Sequence, residues 1–199
     1  MPMADPATLA YYENSAPSHT LSSGQAPSRD LDTFLDRVGP GANILELGCG
    51  MGRDAARMVE RGFVVDATDG VAAMVRKANE CFSLGARQMR FEELAAQAEY
   101  DAVWAHACLL HVARTDLPAI LRAIHRALKP GGWHYASFTL GSGEGRCRSG
   151  RLHNFPDEDW VISAYETAGF GIAHHAIRPF GGAEGTIRDW IAITVRASD

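Results

Sequence analysis

Residues 44–54 read ILELGCGMGRD, an apolar run in which an acid, Glu46, stands two residues before the first of three alternating glycines, Gly48, Gly50 and Gly52. Glycines crowded after a β-like run and before a helix-like one mark a turn where backbone can approach a ligand closely. The pattern on either side decides the fold. ANILEL is a strand, a helix runs from Gly52 to about Glu60 and ends at Gly62, and FVVDAT is a second strand. A helix carrying Val71, Met74, Val75 and Ala78 and a strand RQMRF complete a βαβαβ series. After a short connection through EELAAQ, YDAVWA is the next strand. DLPAILRAIHRALKPGG is a helix burying Leu117, Ile120, Leu121, Ile124 and Leu128, and WHYASFTL follows as a strand. Short apolar strands alternating with helices imply a largely parallel sheet covered on both faces.

The flanks are less regular. Asp5-Pro6 starts a short helix through ATLAYYEN, and the Ser-, Pro- and Gly-rich SAPSHTLSSGQAPS reads as a loop. Ser28 is placed to cap a helix with Leu31, Phe34, Leu35 and Val38 inward, stopped by Gly39-Pro40. Beyond Leu140, GSGEGRCRSGR is too polar for a core and reads as an active-site loop. A helix begins at Pro156 with acids at 157, 158 and 159 and stops at Gly169; FGIAHHAI and IRDWIAITVRA then form a closing strand pair across the turn GGAEG. The length of 199 residues fits one domain. It divides into N-terminal helices with a possible lid (1–40), a cofactor-binding core (41–140) and a substrate side (141–199).

Composition narrows the partners. Nineteen Lys and Arg against 24 Asp and Glu leave a net charge of −5, which provides no broad basic field for a nucleic-acid backbone. The opening MPMADPATLA has neither the basic start nor the apolar stretch of a signal peptide, and no apolar run has the length of a membrane span. A soluble, cytoplasmic protein acting on a small molecule, as monomer or homodimer, is expected. Cysteines 49, 81, 108 and 147 are far apart, with no C-x-x-C pair, so no metal site or disulfide framework is expected.

Two ligand classes use a glycine turn of this kind. A dinucleotide fold wants G-x-G-x-x-G/A, with a third small residue for close helix–strand packing and a helix N-terminus for the pyrophosphate. Gly48 and Gly50 fit, but the third position is Arg53. The E-x-G-x-G-x-G spacing from Glu46 to Gly52 resembles instead the cofactor turn of class I S-adenosylmethionine-dependent methyltransferases. That ligand has a sulfonium, an ammonium and a carboxylate but no phosphate, so a neighbouring acid helps neutralise its net positive charge. Asp69, 17 residues after Gly52, ends the second strand, where a carboxylate can accept from both ribose hydroxyls. RFEEL resembles the adenine-facing segment of the family, with the departure that Arg90 stands at the family's acid position and Glu92 or Glu93 substitutes. YDAVWAHACLLHV and RALKPGG resemble further family segments. The likeness spans roughly residues 40–140, and with the Gly/Glu/Arg loop it is closest to small bacterial tellurite-resistance-type methyltransferases of the type 11/12 domains.

The resemblance implies a Rossmann-like, doubly wound α/β fold, with a mostly parallel seven-stranded sheet, helices on both faces and an antiparallel C-terminal strand. It implies S-adenosyl-L-methionine as cofactor and S-adenosyl-L-homocysteine as product. Gly48, Cys49, Gly50, Gly52, Arg53, Glu46, Asp69 and Gly70 would surround the ligand. Met74 would lie against adenine, Phe91 and Glu92 at its edge, Ala105 and His106 at the methionine end, and Tyr12 in a lid. Methyl transfer from a sulfonium is an in-line displacement governed by positioning, with a base added where the nucleophile carries a proton. His106 and His111 are the catalytic candidates, though His111 could simply brace its turn. Arg146, Arg151 and His153 are candidates for substrate binding, a solvated loop being the plainer reading of the arginines. His125, His174 and His175 lack the third ligand a metal site needs. AHAC, residues 105–108, stands where amino-methylating nucleic-acid enzymes carry an N/D-P-P-Y motif, leaving a small acceptor. A nicotinamide-dependent oxidoreductase and a non-catalytic cofactor-binding module remain as alternatives.

Overall fold

A computed structural model describes residues 4–22, 26–181 and 187–198. Two helices, α1 (Pro6–Ser22) and α2 (Leu31–Val38), precede the first strand, β1 (Asn43–Leu47). Then follow α3 (Arg53–Glu60), β2 (Val64–Asp69), α4 (Ala72–Phe82), β3 (Arg87–Gln88), β4 (Tyr100–Ala105), α5 (Leu117–Ala127) and β5 (Leu128–Thr139). The C-terminal part contains β6 (Gly143–Arg146), β7 (Leu152–Phe155), α6 (Glu158–Thr167), β8 (Phe170–Gly181) and β9 (Ile187–Ala197).

Seven strands form one sheet in the order β3-β2-β1-β4-β5-β9-β8. Strands β1 to β5 are parallel, and β9 runs antiparallel to both β5 and β8. The fold is thus Rossmann-like, with the antiparallel C-terminal strand inserted next to β5. The chain order reverses between β1 and β4, and at such a switch point the loops leaving the two strands diverge and open a crevice.

Period-two alternation sends neighbouring residues of β1 to opposite faces. Leu45 and Leu47 join Val103 and Ala105 of β4 and the apolar side of α5, where Leu117, Leu121 and Ile124 are fully buried. Ile44 points the other way, to Trp104, Tyr135, Met58 and the α2 residues Leu31, Phe34 and Leu35. Each fully buried Leu, Ile or Phe contributes about 1.5–3 kcal/mol. Glu46 projects to this second side too, into a place where the packing stops short of the strand end.

Several boundaries differ from the sequence reading. Helix α1 continues to Ser22, through a stretch expected to be loop; Asp5 caps it, taking Thr8 N–H at 2.8 Å, and its first turns pack on the body of the protein. Ser28 does not cap α2. Asp30 occupies the cap position, while the Ser28 N–H donates to Asp54 Oδ1 at 2.8 Å. Helix α5 stops at Ala127 because β5 already begins at Leu128, with an irregular register against β4. Strand β3 shrinks to two residues, and Phe91–Glu93 turn into a 3-10 helix. The expected loop after Leu140 is a two-stranded hairpin, β6–β7, with Glu144 opposite Asn154 and Arg146 opposite Leu152. The GGAEG turn lies largely outside the described residues.

Candidate functional site

The glycine turn leaves β1 with three left-handed residues: Gly48 at φ 70°, Gly50 at 55° and Gly52 at 83°. Side chains are strained there, and space adds a second restriction at two of the three. A Cβ on Gly48 would come within 2.5 Å of the Cys108 Cβ, and one on Gly52 within 2.4 Å of Leu84. Gly52 therefore serves packing of the turn on α4 and does not line the cavity. A Cβ on Gly50 would meet no protein atom within 4 Å and would stand in the open space that Gly50 borders.

That space is a cavity of about 430 Å³ at the carboxyl ends of β1, β2 and β4, a size suited to one small ligand. Its polar wall is acidic: Asp5, Glu46, Asp54, Asp69, Glu92 and Asp116 outnumber Arg53 and Arg90. Asp69 is the organising acid. Its Oδ2 accepts the Gly50 N–H and its Oδ1 the Val71 N–H, each at 2.9 Å, tying the glycine turn to the end of β2. Each oxygen retains acceptor capacity for a ligand hydroxyl. Burial lifts its pKa to about 6 against these two bonds. Glu46 is 3% exposed and its Oε2 has no hydrogen-bond partner among the described residues. Burial, and then repulsion from Asp54 and Asp69, drives its pKa well above the carboxylate range. The Ala55 N–H and the charge of Arg53 offset this only in part; a buried carboxyl with one unpartnered oxygen beside two other acids is costly, and a bound cation would relieve it.

Met74, Gly70, Phe91 and Glu92 line the same cavity, together with Cys49 and Arg53. Glu92 Oε1 accepts the Ala4 N–H at 3.1 Å, while Glu93 caps its own turn through the Arg90 N–H at 2.7 Å. Arg53 is partly committed, with Nη2 3.2 Å from Ser28 Oγ and Nε 3.5 Å from Asp54 Oδ1. Ala105 is fully buried in the sheet and lies outside the cavity lining. His106 borders the cavity, its ring parallel to Trp104 at 6.0 Å and Tyr135 at 6.3 Å, and burial lowers its pKa.

Helix α1 roofs the cavity. Asp5 forms a two-pronged ion pair with Arg146 of the hairpin at 2.8 and 3.1 Å, Thr8 Oγ1 accepts the Leu152 N–H at 2.9 Å, and Glu13 reaches Ala73 N and Arg76 of α4. Tyr12 drops from this roof to His111, with 2.9 Å between Oη and Nε2. On the other side of the ring, His111 Nδ1 is 2.7 Å from the Leu152 carbonyl, which can only accept. Nδ1 therefore carries the proton, and Nε2 presents a lone pair to the Tyr12 hydroxyl. Arg151, 5% exposed, donates to the same hydroxyl at 2.8 Å. Burial pushes the His111 pKa down to about 3, so the ring is neutral around pH 7.

Tyr12, Ala107 and His111 also border a second cavity of about 410 Å³, between the hairpin and the β8–β9 edge. Arg146, Arg151 and His153 line it, as do Phe155, Arg188 and Trp190. The residues named from the sequence as cofactor or substrate contacts thus gather at two joined cavities, Gly52 and Ala105 excepted. Sequence reasoning missed Asp54, which holds Trp104 Nε1 at 3.0 Å and Ser28 N from inside the fold. It also missed Arg188 and Trp190, which lie more than 30 residues beyond the hairpin. Among the described residues no group of three His, Cys, Asp or Glu is arranged to hold a metal, and no helix is long and apolar enough to cross a membrane.

Residues 44–132 match the family model described as a methyltransferase domain, and this segment contains the glycine turn, Asp69 and His111. Over 129 residues, 61% of the chain, it is 36% identical to a ubiquinone biosynthesis O-methyltransferase of Xanthomonas campestris pv. campestris, covering 51% of that protein. A trans-aconitate 2-methyltransferase of Deinococcus radiodurans is 33% identical over 115 residues, 54% of this chain and 41% of the relative. The chain spans about half the length of the curated relatives it matches. The fold extends further than these sequence matches. The 1,6-didemethyltoxoflavin-N1-methyltransferase of Burkholderia thailandensis, solved with its substrate and S-adenosylhomocysteine, covers all of this chain and 93% of its own at a TM-score of 0.78 and 21% identity. The cyclase SpnF superposes equally well, at 0.78 and 17% identity, covering 99% of this chain and 97% of its own. The architecture is shared by a methyltransferase and a cyclase, so likeness of fold leaves the reaction open.

Proposed function

We propose that this chain transfers a methyl group from S-adenosyl-L-methionine to a small-molecule acceptor, releasing S-adenosyl-L-homocysteine. The observation that carries the reading is the buried Glu46, its Oε2 unpartnered among the described residues, beside Asp69 under a three-glycine turn: an acid-lined cavity for a ligand that is cationic and free of phosphate. The methyltransferase-domain match over residues 44–132 supports it. A nicotinamide cofactor would need backbone amides for its pyrophosphate, and the Gly50 N–H is already given to Asp69.

When bound, the cofactor supplies an electrophilic methyl group on a positively charged sulfur. Asp69 would hold the ribose hydroxyls, with Met74, Gly70 and Phe91 against the base and Glu92 at its edge. Glu46, Arg53 and the backbone around Cys49 and His106 would face the amino-acid end. Tyr12 and α1 would exclude water from above. His111 is too weakly basic in this setting to store a proton at neutral pH. Its proposed work is to accept the Tyr12 hydroxyl at Nε2 and hold that phenol, with Arg151, at the passage between the two cavities. Arg146, Arg151 and His153 belong to the acceptor side.

Titration calorimetry with S-adenosyl-L-homocysteine tests the reading directly. Micromolar binding that is lost in Asp69→Ala is expected. A protein that binds neither this compound nor S-adenosyl-L-methionine overturns it.

A further inference from the structure

Among the described residues, the two adjoining cavities carry opposite charge. Six acids and two arginines line the first. Arg146, Arg148, Arg151 and Arg188 line the second, and among the described residues no Asp or Glu does. Two of these arginines are built into the wall: Arg146 by its ion pair to Asp5, and Arg151 by Tyr12, by Ser149 Oγ at 2.9 Å and by the Tyr11 ring 4.6 Å below its guanidinium. Arg188 differs. Its guanidinium lies 5.2 Å from the Phe155 ring centre, and among the described residues no carboxylate is within ion-pair distance of it.

Aromatic side chains make up much of the rest of the wall. Phe155 stacks on His153 with ring centres 5.2 Å apart, and Phe180 meets Trp190 edge-on at 5.9 Å. The Trp190 indole N–H is buried with no acceptor among the described residues. Aromatic faces favour a planar ring, a guanidinium fork matches a carboxylate, and an unused N–H favours an acceptor atom.

We infer that the second cavity binds the methyl acceptor as a planar aromatic carboxylate, its ring between the Phe155 and Trp190 walls and its carboxylate on Arg188. The inference rests on the methyltransferase reading for the word acceptor, while the ligand chemistry rests on the second cavity alone. It accounts for two features together. The anion-binding surface is set apart from the acidic cofactor wall, so donor and acceptor cannot exchange places. Tyr12, Ala107 and His111 stand where the two ligands would meet.

The test titrates 4-hydroxybenzoate and salicylate, their primary amides, cyclohexanecarboxylate and inorganic phosphate into the protein by calorimetry, with and without saturating S-adenosyl-L-homocysteine. Either or both aromatic acids should bind at least tenfold more tightly than the matching amide, cyclohexanecarboxylate and phosphate. Arg188→Ala should weaken that binding at least tenfold, Arg188→Lys by less, with S-adenosyl-L-homocysteine affinity held within twofold as the check on folding. Equal binding of acids and amides, equal binding of cyclohexanecarboxylate or phosphate, no binding of either aromatic acid, or indifference to Arg188→Ala would overturn the inference. Failure to bind S-adenosyl-L-homocysteine overturns the methyltransferase reading instead, and the arm without it still decides the cavity.

Discussion

Tyr12 and His111, 99 residues apart in sequence, meet through a 2.9 Å hydrogen bond between Oη and Nε2. The bond joins the roof helix to the turn after β4, and both side chains border the two cavities.

Tyr12→Phe keeps the ring and removes the hydroxyl that both His111 and Arg151 hold. Turnover should fall about tenfold while cofactor affinity changes less than threefold, in line with losing a hydrogen bond to a charged group worth about 1.5–3 kcal/mol. His111→Ala should cost about as much, and the double variant little more than either single one, because the two side chains share one bond. Additive losses in steady-state kinetics would separate the pair.

Burial raises the Asp69 pKa to about 6, and only its ionised form offers every lone pair to ribose hydroxyls. Binding therefore favours the carboxylate and lowers that pKa. Affinity for S-adenosyl-L-homocysteine should rise with pH through about 6 and level off above it, with proton release visible as a buffer-dependent binding enthalpy. Asp69→Asn should flatten this part of the profile and weaken binding by about 1–3 kcal/mol. A wild-type affinity constant from pH 5 to 8 would remove Asp69 from the ribose site.

Around the buried Glu46, Asp54 and Asp69 outweigh the attraction of Arg53, so relieving it should separate stability from binding. Glu46→Gln is expected to raise the melting temperature of the empty protein and to weaken S-adenosyl-L-methionine binding about tenfold or more. The sign of the stability change follows from removing an unpaired buried acid with little change in volume. A lower melting temperature together with unchanged affinity would contradict this account of Glu46.

Gly48→Ala combines a left-handed backbone with a 2.5 Å approach to the Cys108 Cβ. The fold should lose roughly 2 kcal/mol or more, since the strained conformation alone costs about 1–3 kcal/mol, and denaturant melts should show it. Gly50→Ala shares the backbone strain but meets no protein atom, so its loss should be smaller in stability and comparable in cofactor affinity.

The proposed cofactor side was legible as one cavity wall because its residues are local in sequence. A turn of three left-handed glycines needs glycines, and the acids of β1 and β2 stand at fixed distances along strands whose period is two. The acceptor side was obscure for the opposite reason. GSGEGRCRSGRLHNF has no apolar alternation, and its hairpin is held by Asp5 and Thr8 of α1, some 140 residues earlier. Arg188 and Trp190 join it only through the β8–β9 pairing. Asp54 looked like an ordinary first-turn acid, and nothing in RDAARM shows that Trp104 and Ser28 would close over it. Gly52 was misplaced because a glycine needed for helix packing and one needed for ligand approach look alike in a motif.

Ala107 borders both cavities at φ 51°, its N–H bonded to Ser137 Oγ at 2.9 Å. Glycine would adopt this backbone with less strain, so the methyl group is retained at a conformational cost. In the proposed reaction this one carbon atom would stand between donor and acceptor. Removing it should make the enzyme sturdier and less choosy, and lengthening it should narrow the range of acceptors before it touches the hold on the cofactor.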